Sequence, residues 1–246
     1  MLVRRLYMGL TGLAPSRAEV EVFLNDKDPQ DWSKLVDKVL NSQRFGERWA
    51  RHWLDLARFA ESNGYAFDKD RKGAFHYRDF VIKALNADLP YDEFVRMQLA
   101  GDLIDDKSQD HVAATGFIAA GPFTSQQTAK ERERSRYEQL DDLIGTVGTT
   151  MLGLSVACAR CHDHKFDPIS ADDDYSMITA FEKTGFQTVG TDFEPDAYKA
   201  AKEEFERNHQ PIVKALKAYE DNDLPKRAAE WRKEWQSHEV DDTLLA

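Results

Sequence analysis

Only two cysteines occur in the 246 residues, and they stand three positions apart, Cys158 and Cys161, in the stretch ACARCHDHKFDP from Ala157 to Pro168. His162 follows at once, and His164 stands two residues on. The pattern Cys-x-x-Cys-His is the attachment signature of c-type haem. Two thiols at that spacing reach the two vinyl groups on one porphyrin edge and form thioethers. The next residue then offers an imidazole nitrogen to iron as proximal ligand. Such a pattern is short, and its weight comes from holding both cysteines of the chain.

Other chemistries use the same residue types. A redox Cys-x-x-Cys of the thioredoxin type belongs near a βαβ pattern, which this sequence lacks. Cys158, Cys161, His162 and His164 would also ligate zinc or iron, although four ligands so close together strain a tetrahedron and carboxylates from elsewhere would be needed. Two buried, inert thiols are the plainest alternative. Cys158, Cys161 and His162 are thus the candidate haem-binding residues. His162 and His164 are the candidate metal ligands. With His164 too close in sequence to reach the opposite haem face, Asp163 or Asp167 would serve it as a hydrogen-bond partner.

A second polar set lies upstream. The spacing predicts a helix over 44–62, stopping at Asn63-Gly64. Along it Arg48, His52, Asp55, Arg58 and Glu61 recur every three or four positions and so share one face. A solvated face with internal ion pairs explains such a run. As a pocket wall it would supply His52 as distal haem ligand and an arginine for a propionate. His52, Asp55, Arg58 and Glu61 are the acid–base candidates for catalysis. Met151 is a second axial candidate, though a core methionine is the commoner case.

The elements that must position these groups read as helical nearly throughout. Ser16-Arg17-Ala18-Glu19 has the form of a capping box. Asp28-Pro29 reads as a cap with proline at the first helical position. Trp32, Leu35, Val36, Val39 and Leu40 form an apolar stripe. Residues 64–74 read as a loop. Helices follow over 75–87, with Phe75, Phe80, Val81, Ala84 and Leu85 inward, and over 91–100. A short one spans 110–120. Residues 123–136 are charged and read as a loop leading into a helix over 137–152, with Asp141-Asp142 facing out. Ser170 caps a further helix, with Asp172, Asp173 and Asp174 in its first turn. Residues 184–193 read as a linker. Beyond it, 194–246 reads as a charged helical hairpin turning at Asp223-Leu224-Pro225, an interaction arm. The expected architecture is all-α: an irregular helical bundle over 1–185 with this hairpin appended.

The formal charge of −11 argues against nucleic acid or an anionic membrane as main partner. No apolar run reaches the length of a membrane helix. The start MLVRRLYMGLTGLAP has a broken apolar run and reads as a short helix rather than a signal peptide.

Four separated stretches resemble one family, in that family's order. They are LTGLAPSRAEVEVFL (Leu10 to Leu24), FGERWARHWLDLARFAESNGY (Phe45 to Tyr65), YRDFVIKALNADLPYDEFVRMQLAGDL (Tyr77 to Leu103) and LGLSVACARCHDHKFDPIS (Leu152 to Ser170). The family is a domain of unknown function in large secreted proteins of planctomycetes and relatives, often beside a separate planctomycete-type cytochrome c domain. The resemblance covers about residues 1–185. It implies a periplasmic or extracellular protein with haem or metal chemistry at the cysteine motif. It also implies a setting linked to polysaccharide breakdown. Other domains or subunits of a larger exported assembly would be the partners, with a carbohydrate-derived substrate. The expectation is therefore a haem c redox module, an electron relay or an oxidoreductase. The alternative is a haem-free zinc or iron scaffold using the same cluster.

Overall fold

The computed structural model describes residues 2–64, 68–105, 108–124, 127–186 and 195–236. The regular structure of these residues is helical, as expected, and extended chain pairs only in one isolated bridge between Ser62 and Asp70. Among them no helix is long and apolar enough to cross a membrane. The chain divides into two compact units, Met1–Gln187 and Thr188–Ala246.

Three helices open the first unit: α1 (Leu2–Leu10), α2 (Arg17–Asn25) and α3 (Asp31–Leu40). They build a small core, with Val3 and Tyr7 buried against Leu35 and Val39 and with Val20 and Phe23 packed on the outside. The Ser16 capping box forms: Ser16 Oγ accepts the Glu19 N–H, and the Glu19 carboxylate accepts the Ser16 N–H at 2.7 Å. Asp28-Pro29 does not open α3. Asp28 Oδ1 accepts the Gln30 N–H at 2.8 Å and makes a turn, so the helix begins later. The stripe is also narrower than expected, since Trp32 and Leu40 stay exposed.

The main core lies between α4 (Gln43–Leu56), α5 (Phe75–Asn86), α6 (Tyr91–Ala100), the short α7 (Gln109–Ala114) and α8 (Gly116–Ala119), and α9 (Ala129–Val147). Tyr77 is buried here, while Phe75, expected inward, is exposed. Burying Tyr77 requires partners for its hydroxyl. It donates to Gln98 Oε1 at 2.7 Å and accepts from the Trp53 indole at 3.0 Å. Removal from water pushes the Tyr77 phenol far above its usual pKa.

Helix α4 stops well short of the expected Ser62. Arg58 adopts φ 58°, Phe59 N–H reaches the Leu54 carbonyl at 2.9 Å, and Arg58 N–H reaches that of Asp55 at 3.2 Å. These paired bonds are the Schellman closure, which satisfies the last carbonyls of a helix. Helix α5 ends the same way, with Asp88 at φ 50°. Glycine normally marks such a stop, and neither position is glycine. Helix α9 starts earlier than expected. Thr128 and Glu131 form a capping box, so the charged stretch before Tyr137 is largely helix. Helix α10 (Ala171–Phe181) closes the first unit. The expected linker falls mostly in 187–194, outside the described residues.

In the second unit α11 (Pro195–Ala218) passes through a π-helical turn, Tyr219–Asp223, into α12 (Leu224–Gln236). The hairpin expected at Asp223-Leu224-Pro225 is corrected: Ala218 and Leu224 both have right-handed helical backbone, and the path stays helical from 195 to 236. Proline lacks the N–H that would close an α turn, and one widened turn absorbs the loss without reversing the chain. Residues 237–246 lie outside the described residues.

Asp88 carries the backbone cost of a left-handed residue on an exposed surface. Asp88→Gly is expected to raise the unfolding free energy by about 0.5–1 kcal/mol, and Asp88→Val to lower it, in urea titrations.

Candidate functional site

The cysteine motif is placed by the end of α9. Past Val147 the helix widens into a π turn, Gly148–Leu152, and Gly153 with φ 67° turns the chain back. Leu154 N–H then bonds the Gly148 carbonyl at 2.9 Å. This approach needs glycine at 148, because a Cβ there would sit 2.7 Å from Val156 Cγ2. The Thr150 hydroxyl donates to the Leu56 carbonyl at 3.2 Å, tying the turn to α4. Met151 packs against the main core, the common role of a methionine.

Next comes a 3₁₀ turn, Val156–Arg160. In a 3₁₀ turn residues three apart share a side. Val156 and Ala159 form the inner side, 2% and 0% exposed, and Val156 packs with Leu140 and Ile144 of α9 and Ile178 of α10. Cys158 and Cys161 form another side. Both are free thiols and both are exposed.

Arg160 anchors the turn from within the motif. Its Nη2 lies 2.8 Å from Asp141 Oδ2 on α9. Asp141 was expected to face out, yet its side chain is 13% exposed. Asp174 was expected to serve the α10 dipole, but that task falls to Asp173, which completes a capping box with Ser170. Asp174 is 2% exposed, and its Oδ2 has no hydrogen-bond partner. Burial pushes the Asp174 carboxyl above its usual pKa, the Asp141 charge adds to this, and Arg160 opposes it. Asp141 is raised by burial against the same Arg160. No spacing rule flags this trio, because its members are distant in sequence. The one visible signal was a charged residue between the cysteines.

The two histidines have different surroundings. His162 is exposed, and its Nδ1 lies 2.8 Å from the Asp163 carbonyl oxygen. A carbonyl oxygen only accepts, so Nδ1 carries the proton and Nε2 keeps its lone pair. His164 is 7% exposed at its side chain. Its Nδ1 accepts the N–H of Asp167 at 2.9 Å and of Phe166 at 3.3 Å, and its Nε2 lies 3.0 Å from Ser155 Oγ. The Asp167 carboxylate is also near Nδ1, at 3.3 Å, but the closer backbone donor sets the tautomer. His164 is therefore a clamp joining the residue before the turn to the loop after it. Both its nitrogens are used. Among the described residues no three His, Cys, Asp or Glu side chains stand together as a metal-binding group.

The upstream set is dispersed. His52 and Asp55 lie exposed on α4, with the His52 ring 5.3 Å from that of Trp49. Arg58 and Glu61 lie beyond the helix end, so the four do not share a helical face. The Arg58 guanidinium pairs with Asp142 on α9, whose side chain stays partly exposed. Its Nε and Nη2 are buried without partners. Glu61 pairs with Arg78 at 2.8 Å.

The raised carboxyls fix the sign of a pH effect. A folded state that binds protons more tightly than the unfolded one loses stability as pH rises past the ordinary carboxylate range. Asp174→Asn is expected to raise the melting temperature, and by more at pH 8 than at pH 4, in thermal scans followed by circular dichroism. A variant that melts lower at pH 8 would contradict the assignment.

No curated protein and no solved structure matches the chain. A family model does match, over residues 1–186, a span that holds all four stretches quoted above and the cysteine motif. The chain therefore belongs to the PSCyt2 family, proteins of unknown function (DUF1549).

Proposed function

We propose that the first unit is a c-type haem-binding module of a larger exported protein. Cys158 and Cys161 are the thioether cysteines and His162 the proximal ligand. One observation carries this reading: two outward thiols on a short turn stand beside a histidine whose Nε2 is free because Nδ1–H is held by the Asp163 carbonyl. That hydrogen bond fixes the tautomer and orients the ring, as ligand histidines require. Val156 holds the turn on the core, and Arg160 holds it to Asp141. Haem bound there would supply one-electron chemistry. The family setting implied by the resemblance supports work with other domains on carbohydrate-derived material. The zinc or iron scaffold finds less support, since His164 is engaged at both nitrogens.

Co-expressed with haem-maturation enzymes in a periplasm, the parent should carry one covalent haem by intact mass, and Cys158→Ser with Cys161→Ser in one chain should carry none. Covalent haem retained in that double variant would overturn the proposal. The sixth ligand decides between relay and oxidase. Met151 packs on the core, and His52, the distal ligand expected from the sequence, is the side chain to test for that position. His52→Ala should then convert a low-spin reduced spectrum to high-spin, and an unchanged low-spin spectrum would exclude His52.

A further inference from the structure

Phe166 is the most exposed large apolar side chain among the described residues, 83% open to solvent. Single exposed apolar residues are ordinary on a protein surface. The backbone beneath this one is not ordinary. Its N–H donates to His164 Nδ1 at 3.3 Å, and the neighbouring Asp167 N–H donates to the same nitrogen at 2.9 Å. The His164 N–H in turn reaches the Ile169 carbonyl at 2.8 Å, which closes the loop from 164 to 169. The loop that displays this ring is thus fixed from within, around a buried imidazole.

The same hydrogen bonds place the loop beside the thiols. His164 Nε2 lies 3.0 Å from Ser155 Oγ, and the Ser155 carbonyl accepts the Cys158 N–H at 3.1 Å. One serine and one imidazole therefore separate the backbone of Cys158 from that of Phe166. Leu154, one residue before Ser155, is exposed at the other end of the clamp. The Lys165 ammonium stands 5.1 Å from the centroid of the Phe166 ring, a contact that leaves most of the ring open.

A porphyrin is a broad apolar plate, and leaving its faces in water costs free energy in proportion to their area. Two thioethers fix only one edge of it. We propose, resting on the haem reading above, that Phe166 packs on the haem face from which His162 ligates iron. Sequence distance selects the face. Phe166 follows His162 by four residues, at most about 14 Å of extended chain. The clamp also ties it to Ser155, so the loop cannot pass around the plate to the opposite side. On the His162 side the ring shields the iron–imidazole bond from water. Such burial is one of the levers on redox potential, because water favours the extra charge of ferric iron.

Fluorine NMR of the full chain, grown with 4-fluorophenylalanine and matured with haem, tests this. Reduction under carbon monoxide makes the iron diamagnetic. The Phe166 signal is identified by its loss in Phe166→Leu. It is expected well upfield of its position in the chain carrying both Cys158→Ser and Cys161→Ser, because the porphyrin ring current acts on groups over its face. In redox titrations of the loaded chain Phe166→Ala should lower the midpoint potential, and Phe166→Leu should keep it closer to the parent. A haem-loaded chain whose Phe166 signal does not move would overturn this inference alone and would leave the ring to a protein partner. An unchanged potential in Phe166→Ala would overturn it as well. A parent without covalent haem would overturn the haem reading together with it. The ring is so exposed in the haem-free fold that its replacement leaves folding intact.

Discussion

Two small side chains, Val156 and Ala159, hold the cysteine motif in place. Both are buried, and Val156, packed with Leu140, Ile144 and Ile178, seats a single 3₁₀ turn on α9 and α10. Because residues three apart share a side of that turn, what is buried at 156 and 159 decides what is displayed at 158 and 161. The thiols are exposed as a consequence of that packing. Gly148 makes the seat possible by leaving room for Val156, and Gly153 supplies the reversal that brings the turn back.

Polar contacts then fix what apolar packing leaves loose. His164 ties Ser155 to the backbone after the motif, and Asp163 Oδ1 accepts the Ala171 N–H at 3.0 Å at the start of α10. Arg160 pulls the turn onto Asp141. This last contact has an electrostatic cost. One arginine faces two carboxyls, and Asp174 keeps a buried oxygen without a partner. Removing charge from Asp174 relieves that cost while leaving the Arg160–Asp141 pair intact. His162 remains outside these contacts except at Nδ1, which leaves its second nitrogen free for chemistry.

The helical class, most helix positions and the cysteine motif were legible in the sequence, because apolar periodicity and the Ser16 and Ser170 caps are local signals. Where sequence pattern and structure part, the reasons are physical. Arg58 and Asp88 end helices in left-handed backbone without glycine, so the spacing carries α4 past its true end and sets four polar residues on one face. The Thr128–Glu131 box was hidden in a charged stretch that resembled a loop. Pro225 was read as a break, whereas a widened turn accommodates it. The contacts of Asp141, Asp142 and Asp174 depend on tertiary partners far away in sequence, which local pattern cannot reveal.

The proposed function requires the outward thiols to hold haem covalently. The direct measurement is the visible spectrum of the parent chain, matured in the periplasm with the haem-attachment machinery and then unfolded in guanidinium. A Soret band that stays with the unfolded polypeptide is the predicted result. A folded, colourless chain, or a Soret band lost on unfolding, would contradict it.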